Sequence, residues 1–65
     1  MIQVGQKVRF DPMAAIRSMA ESPVYTVGTV AMVNAKHKWF SVKYDGNQRI
    51  SFKFSEIGQN VFMSK

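Results

Sequence analysis

A chain of 65 residues with nine Lys and Arg against four Asp and Glu, a net charge of +5 and no cysteine has room for one domain, residues 1–65, around one small core. Without cysteine a disulfide scaffold and a thiolate zinc site are excluded. One histidine and four scattered carboxylates give no metal-ligand spacing, so neither a metal nor another cofactor is expected. At 46% hydrophobic residues the chain is expected to fold, and its charge favours a polyanionic partner, either nucleic acid or an acidic protein surface. No apolar run approaches the roughly 18 residues that span a bilayer, and MIQVGQKV lacks the blocks of a signal peptide. A cytoplasmic protein in a reducing compartment, with no membrane partner, is expected.

Gly5, Pro12, Pro23, Gly28, Asp45-Gly46-Asn47 and Gly58 punctuate the chain at short intervals, a spacing that predicts several short strands. In QKVRF, Lys7 and Arg9 alternate with Val8 and Phe10, the period-2 pattern of a strand with one wet face. The segment DPMAAIRSMAESP predicts two to three turns of helix. Asp11 is its N-cap, Pro12 its first residue and Pro23 its stop, with Arg17 and Glu21 paired at i, i+4. Its apolar stripe, Met13, Ile16 and Met19 or Ala20, is expected to pack as a lid over one open end of the sheet, or else to offer Met13 and Met19 to a partner.

VYTVGTVAMVN, residues 24–34, reads as a long buried or bent strand, with Gly28 marking a bulge or a close backbone approach. Two further strands, 38–44 and 48–54, flank the strongest turn signal. Phe40, Val42 and Tyr44 share one face of the first, and Ile50, Phe52 and Phe54 one face of the second. Opposed residues must point to the same side of the sheet, and both apolar sets are even-numbered, so paired numbers must add to an even total. A two-residue loop fails this test. A three-residue loop, Asp45-Gly46-Asn47, satisfies it, pairs Tyr44 with Gln48, Val42 with Ile50 and Phe40 with Phe52, and calls for a left-handed residue at Asn47. A five-residue loop, 45–49, is the second choice.

In the preferred register Lys43 faces Arg49, Ser41 faces Ser51 and Trp39 faces Lys53, all outward. Like charges opposed on a ladder cost up to about 1 kcal/mol, so this arrangement serves binding better than folding. Lys36 and His37 in the preceding loop, with Lys38 at the strand end, extend the patch, and a cation–π contact between Lys53 and Trp39 is the bland explanation for the exposed tryptophan. SEIGQNVFMSK predicts one helical turn at 55–57, a stop at Gly58 and a last strand over 59–63.

The fold class expected is mostly β, with five strands and a short helix inserted in the first long loop. This order of elements resembles the SH3-like small barrel shared by SH3, Tudor and KOW domains. VGQKVRF, VGTVAMV, WFSVKYDGNQRISFKF and SEIGQNV carry the resemblance. It implies a five-stranded barrel, and its KOW-like form, with a basic strand face, implies contact with nucleic acid. The long loop has no aromatic residue for a proline-rich peptide, and Tyr25, Trp39 and Tyr44 are too few for a methyl-lysine cage.

His37 is the only histidine, and Asp11, Glu21, Asp45 and Glu56 all read as caps, ion pairs or turns, so no enzyme is expected. The chain reads as a binding module whose cations Lys36, Lys38, Lys43, Arg49 and Lys53, with His37, meet phosphates while Trp39 stacks on an unpaired base. It also resembles the small proteins that phages and mobile elements encode to inhibit a host or bacterial-defence enzyme such as a nuclease, which would place the same face on an acidic protein surface. A homodimer through an unpaired edge strand is compatible with either role.

Overall fold

Val8 and Phe10 are fully buried and their neighbours Lys7 and Arg9 exposed, so the first strand forms with the alternation its sequence prescribes. The computed structural model describes residues 2–18 and 20–64. It contains β1 (Lys7–Phe10), β2 (Thr26–Asn34), β3 (Trp39–Tyr44), β4 (Gln48–Lys53), a 3-10 turn (Phe54–Glu56) and β5 (Val61–Met63). The strands form one antiparallel sheet in the order β4-β3-β2-β1-β5. It curls into a half-barrel whose free edges are β4 and β5.

The inner face is the core. Val8, Phe10, Val30, Phe40, Val42, Phe52 and Val61 are buried there with Ile2, and Val33, Tyr44, Ile50, Phe54 and Ile57 pack around them. Phe10 meets Tyr44 and Phe52 edge-on at ring distances of 5.1 and 5.3 Å. Gly28 lets β1 and β3 approach this closely. A Cβ there would lie inside the contact radius of Val42 Cγ1 and 3.0 Å from both the Lys43 carbonyl oxygen and Phe10 Cε1.

The close approach is therefore at Gly28, but the bulge is three residues later. Val30 pairs with Val42 and Met32 with Ser41, so Ala31 is the extra residue in β2. Its insertion changes the parity of the strand: Val30 and Val33 both reach the core, while Met32 faces outward with Ser41.

The β3–β4 hairpin has the register expected from parity, with Tyr44 opposite Gln48, Val42 opposite Ile50 and Phe40 opposite Phe52. Its turn is built differently. The left-handed residues are Asp45 (φ 46°) and Gly46 (φ 78°), not Asn47, because an Asp-Gly pair supplies the two positive φ values that a twisted hairpin favours. At the C-terminal end the 3-10 turn begins at Phe54, one residue early. Gly58 is left-handed (φ 87°), and β5 starts only at Val61, because the N–H groups of Gln59 and Asn60 both donate to the Glu56 carbonyl and prolong the turn.

The expected helix over 11–23 does not form. Among the described residues this segment is a series of turns, with N–H to C=O bonds from Ala14 to Asp11, Ile16 to Met13, Arg17 to Met13 and Glu21 to Ser18. Asp11 does cap locally, accepting the Met13 N–H at 3.0 Å. Its carboxylate also takes Arg17 Nε at 2.6 Å and Nη2 at 2.9 Å, and the Val24 N–H at 3.3 Å. Residues six apart lie about 240° around a helix and roughly 9 Å along it, so this two-pronged Asp11–Arg17 contact is incompatible with a regular helix between them. The lid fails with the helix: Met13 and Ile16 are 48% and 75% exposed, and Met19 lies outside the described residues.

Candidate functional site

The outer face of the half-barrel is read from the ladder. Arg49 opposes Lys43, Lys43 opposes Thr29 and Thr29 opposes Lys7, so three cations stand in one row across four strands. Lys7 Nζ is tethered by a 2.8 Å hydrogen bond to Thr29 Oγ1. Two further rows run parallel to it, Ser51–Ser41–Met32 and Lys53–Trp39–Asn34, and on the other side Val27–Arg9–Phe62 completes the surface. With strands about 4.8 Å apart, the cation row is about 14 Å long.

His37, Lys38, Trp39 and Lys53 line one cleft of about 570 Å³ together with Ser51, Phe54, Ser55 and Glu56. Lys43 and Arg49 lie beyond Ser41 and Ser51 on the same face, and Lys36 is exposed in the loop 35–38. Asn34 orders that loop by accepting the His37 N–H at 3.0 Å, and the Phe54 N–H donates to the Lys38 carbonyl at 2.9 Å. Lys38 is held at φ 60°, a left-handed conformation that ordinarily selects glycine or asparagine and costs a lysine about 1 kcal/mol. Trp39 is half-buried at the start of β3.

The charge on this face is almost unopposed. Among the described residues the salt bridges are those of Arg17 with Asp11 and Glu21, which leaves Lys7, Arg9, Lys36, Lys38, Lys43, Arg49 and Lys53 unpaired. The Arg17 guanidinium, helped by the Met13 and Val24 N–H groups, holds the Asp11 carboxyl down to about 2 against the desolvation that opposes it. Glu56 is the acid that reaches the cleft, and its oxygens accept the Lys53 N–H at 2.7 Å and Asn60 Nδ2 at 3.1 Å. Asp45 is in the hairpin turn.

Three features escaped the sequence pattern. Lys7 and Arg9 belong to the same face as Lys43 and Arg49, which follows only from the β1–β2–β3 register. Ser41, expected to be exposed, is 7% exposed and its Oγ has no hydrogen-bond partner. The cation–π contacts belong to Arg9, whose guanidinium carbon lies 5.6 Å from the Tyr25 ring centre and 5.7 Å from that of Phe62, and not to Lys53 with Trp39.

Among the described residues no three His, Cys, Asp or Glu side chains gather as a metal site, and no helix is long and apolar enough to cross a membrane. Comparison with protein-family models, curated protein sequences and solved structures finds no match. The arrangement can make charge-assisted contacts to a row of anions and stack one flat group against Trp39.

Proposed function

We propose that the half-barrel is an SH3-like barrel and acts as a non-catalytic, cytoplasmic module that binds nucleic acid without sequence readout through its outer face. One observation carries the proposal: the cations of this face are unpaired and aligned across the sheet, against the cost of opposing Lys43 and Arg49. Lys7, Lys43 and Arg49 contact phosphates. Trp39 stacks on a base in the cleft it shares with Lys53, His37 and Lys38, an interaction worth about 1 to 3 kcal/mol in single-strand binders.

Titration of Trp39 fluorescence with oligonucleotides at low and physiological salt tests it. Saturating quenching is expected, with log K falling against log salt by about 0.7 to 0.9 per phosphate contacted, and replacement of Lys43, Arg49 and Lys53 by glutamine should abolish it. A folded triple variant that binds as tightly as wild type removes the outer face from the interaction.

A second reading, inhibition of a host or bacterial-defence enzyme such as a nuclease, draws on the exposure of Met13, Ile16 and Val24 around the first long loop, which is adaptable apolar surface for a protein partner. Retention of such a partner through a high-salt wash favours it over nucleic acid. The free edges of β4 and β5 offer a route to a homodimer, which sedimentation at two concentrations detects.

A further inference from the structure

At the opposite end of the outer face from Trp39 is a second aromatic group. Tyr25 and Phe62 meet edge-on with ring centres 6.0 Å apart, and the Arg9 guanidinium lies over both. Tyr25 is 48% exposed although it is large and apolar, and Arg9 has no acidic partner among the described residues. A guanidinium backed by aromatic rings presents a flat cationic surface, on which a nucleobase stacks as well as on an aromatic ring.

From these observations we infer that the ligand is a single strand, held at both ends of the outer face, with Trp39 as one stacking platform and Arg9–Tyr25–Phe62 as the other. The inference rests on the nucleic-acid reading of this face. Between the platforms the row Arg49–Lys43–Thr29–Lys7 supplies cations for the intervening phosphates. The register gives the separation. Lys43 is four residues along β3 from Trp39, Lys7 faces Lys43 across β2, and Arg9 is two residues further along β1 in the same direction. At about 3.3 Å per residue and 4.8 Å per strand the platforms are about 22 Å apart, which is about six nucleotides at the 3.4 Å spacing of a stacked strand. A duplex keeps its bases paired and can use the cation row but neither platform.

The test is the length dependence of oligothymidylate affinity, measured by anisotropy of a labelled strand at fixed salt, for wild type, Tyr25→Ala and Arg9→Gln. Wild type should tighten steeply from about three to about eight nucleotides and then level off, and should bind an equally long duplex at least about tenfold more weakly. Both variants should lose about tenfold on the longer strands and little on the shortest, which Trp39 still captures. Tyr25 is exposed, and intact Trp39 emission and thermal unfolding show that the variants are folded. Tyr25→Ala and Arg9→Gln variants that bind long strands as wild type does overturn the second platform and leave the nucleic-acid reading in place. Equal affinity for duplex and single strand also overturns the inference, and failure of wild type to bind any strand overturns both readings.

Discussion

Lys43→Gln should make the protein more stable and a weaker binder. Lys43 stands opposite Arg49 and, across Thr29, in line with Lys7. Allowing for splayed side chains, the charges are about 7 and 10 Å apart. In water the two repulsions amount to about 0.6 and 0.4 kcal/mol before screening. At physiological ionic strength, with a Debye length of about 8 Å, their sum falls to about 0.4 kcal/mol, and at about 0.01 M salt it is about 0.8 kcal/mol. Urea unfolding of both proteins at the two salt concentrations measures this difference. The variant should gain more at low salt than at high. Its oligonucleotide affinity should fall, and the slope of log K against log salt should shrink by about 0.7 to 0.9, one phosphate contact. A variant that is less stable than wild type at low salt refutes the repulsive row, and an unchanged salt slope removes Lys43 from the phosphate path.

Other substitutions test the scaffold. Gly28→Ala should cost about 3 kcal/mol, the upper end of overpacking penalties, because the Lys43 carbonyl and Phe10 close the space around it; with total stability of about 3 to 10 kcal/mol for a domain of this size, calorimetry should show a large fall in Tm. Lys38→Gly should be at least as stable as wild type, by up to about 1 kcal/mol, whereas Lys38→Val should be less stable by a similar amount; thermal unfolding of the pair separates backbone strain from charge. Because the folded-state pKa of Asp11 is depressed from 3.8 to about 2, its stabilisation is complete above about pH 4 and is lost as the pH falls through 2. Circular dichroism in acid should show Asp11→Asn losing that part of the pH dependence, and a variant with the wild-type acid transition contradicts the Asp11–Arg17 clamp.

The strands and the β3–β4 register were legible because period-2 alternation and parity are local properties: Phe40, Val42, Ile50 and Phe52 permit one set of pairings for a three-residue loop. The inserted segment was not. Asp11, Pro12 and Pro23 carry real helix punctuation, but the Asp11 carboxylate is claimed by Arg17 and by the distant Val24 N–H, and no sequence window displays that competition. The cationic patch was half legible. Lys43, Arg49 and Lys53 follow from the hairpin alone, whereas placing Lys7 and Arg9 beside them requires counting through β2 past an extra residue. Tyr25 and Phe62 are 37 positions apart in the chain and meet only because β5 docks on β1.

That extra residue, Ala31, behaves like a spacer. It is partly buried and has no partner across the ladder. Deleting it would close the ladder: Val30, Met32, Val33 and Asn34 would then follow one another opposite Val42, Ser41, Phe40 and Trp39, each on the face it already occupies, and only the local bend would be lost. The bend thus belongs to the extra residue, and the pairing belongs to its neighbours. Two related chains could therefore differ by one residue between Gly28 and Trp39 and still keep the same β2–β3 pairs on both sides of that point.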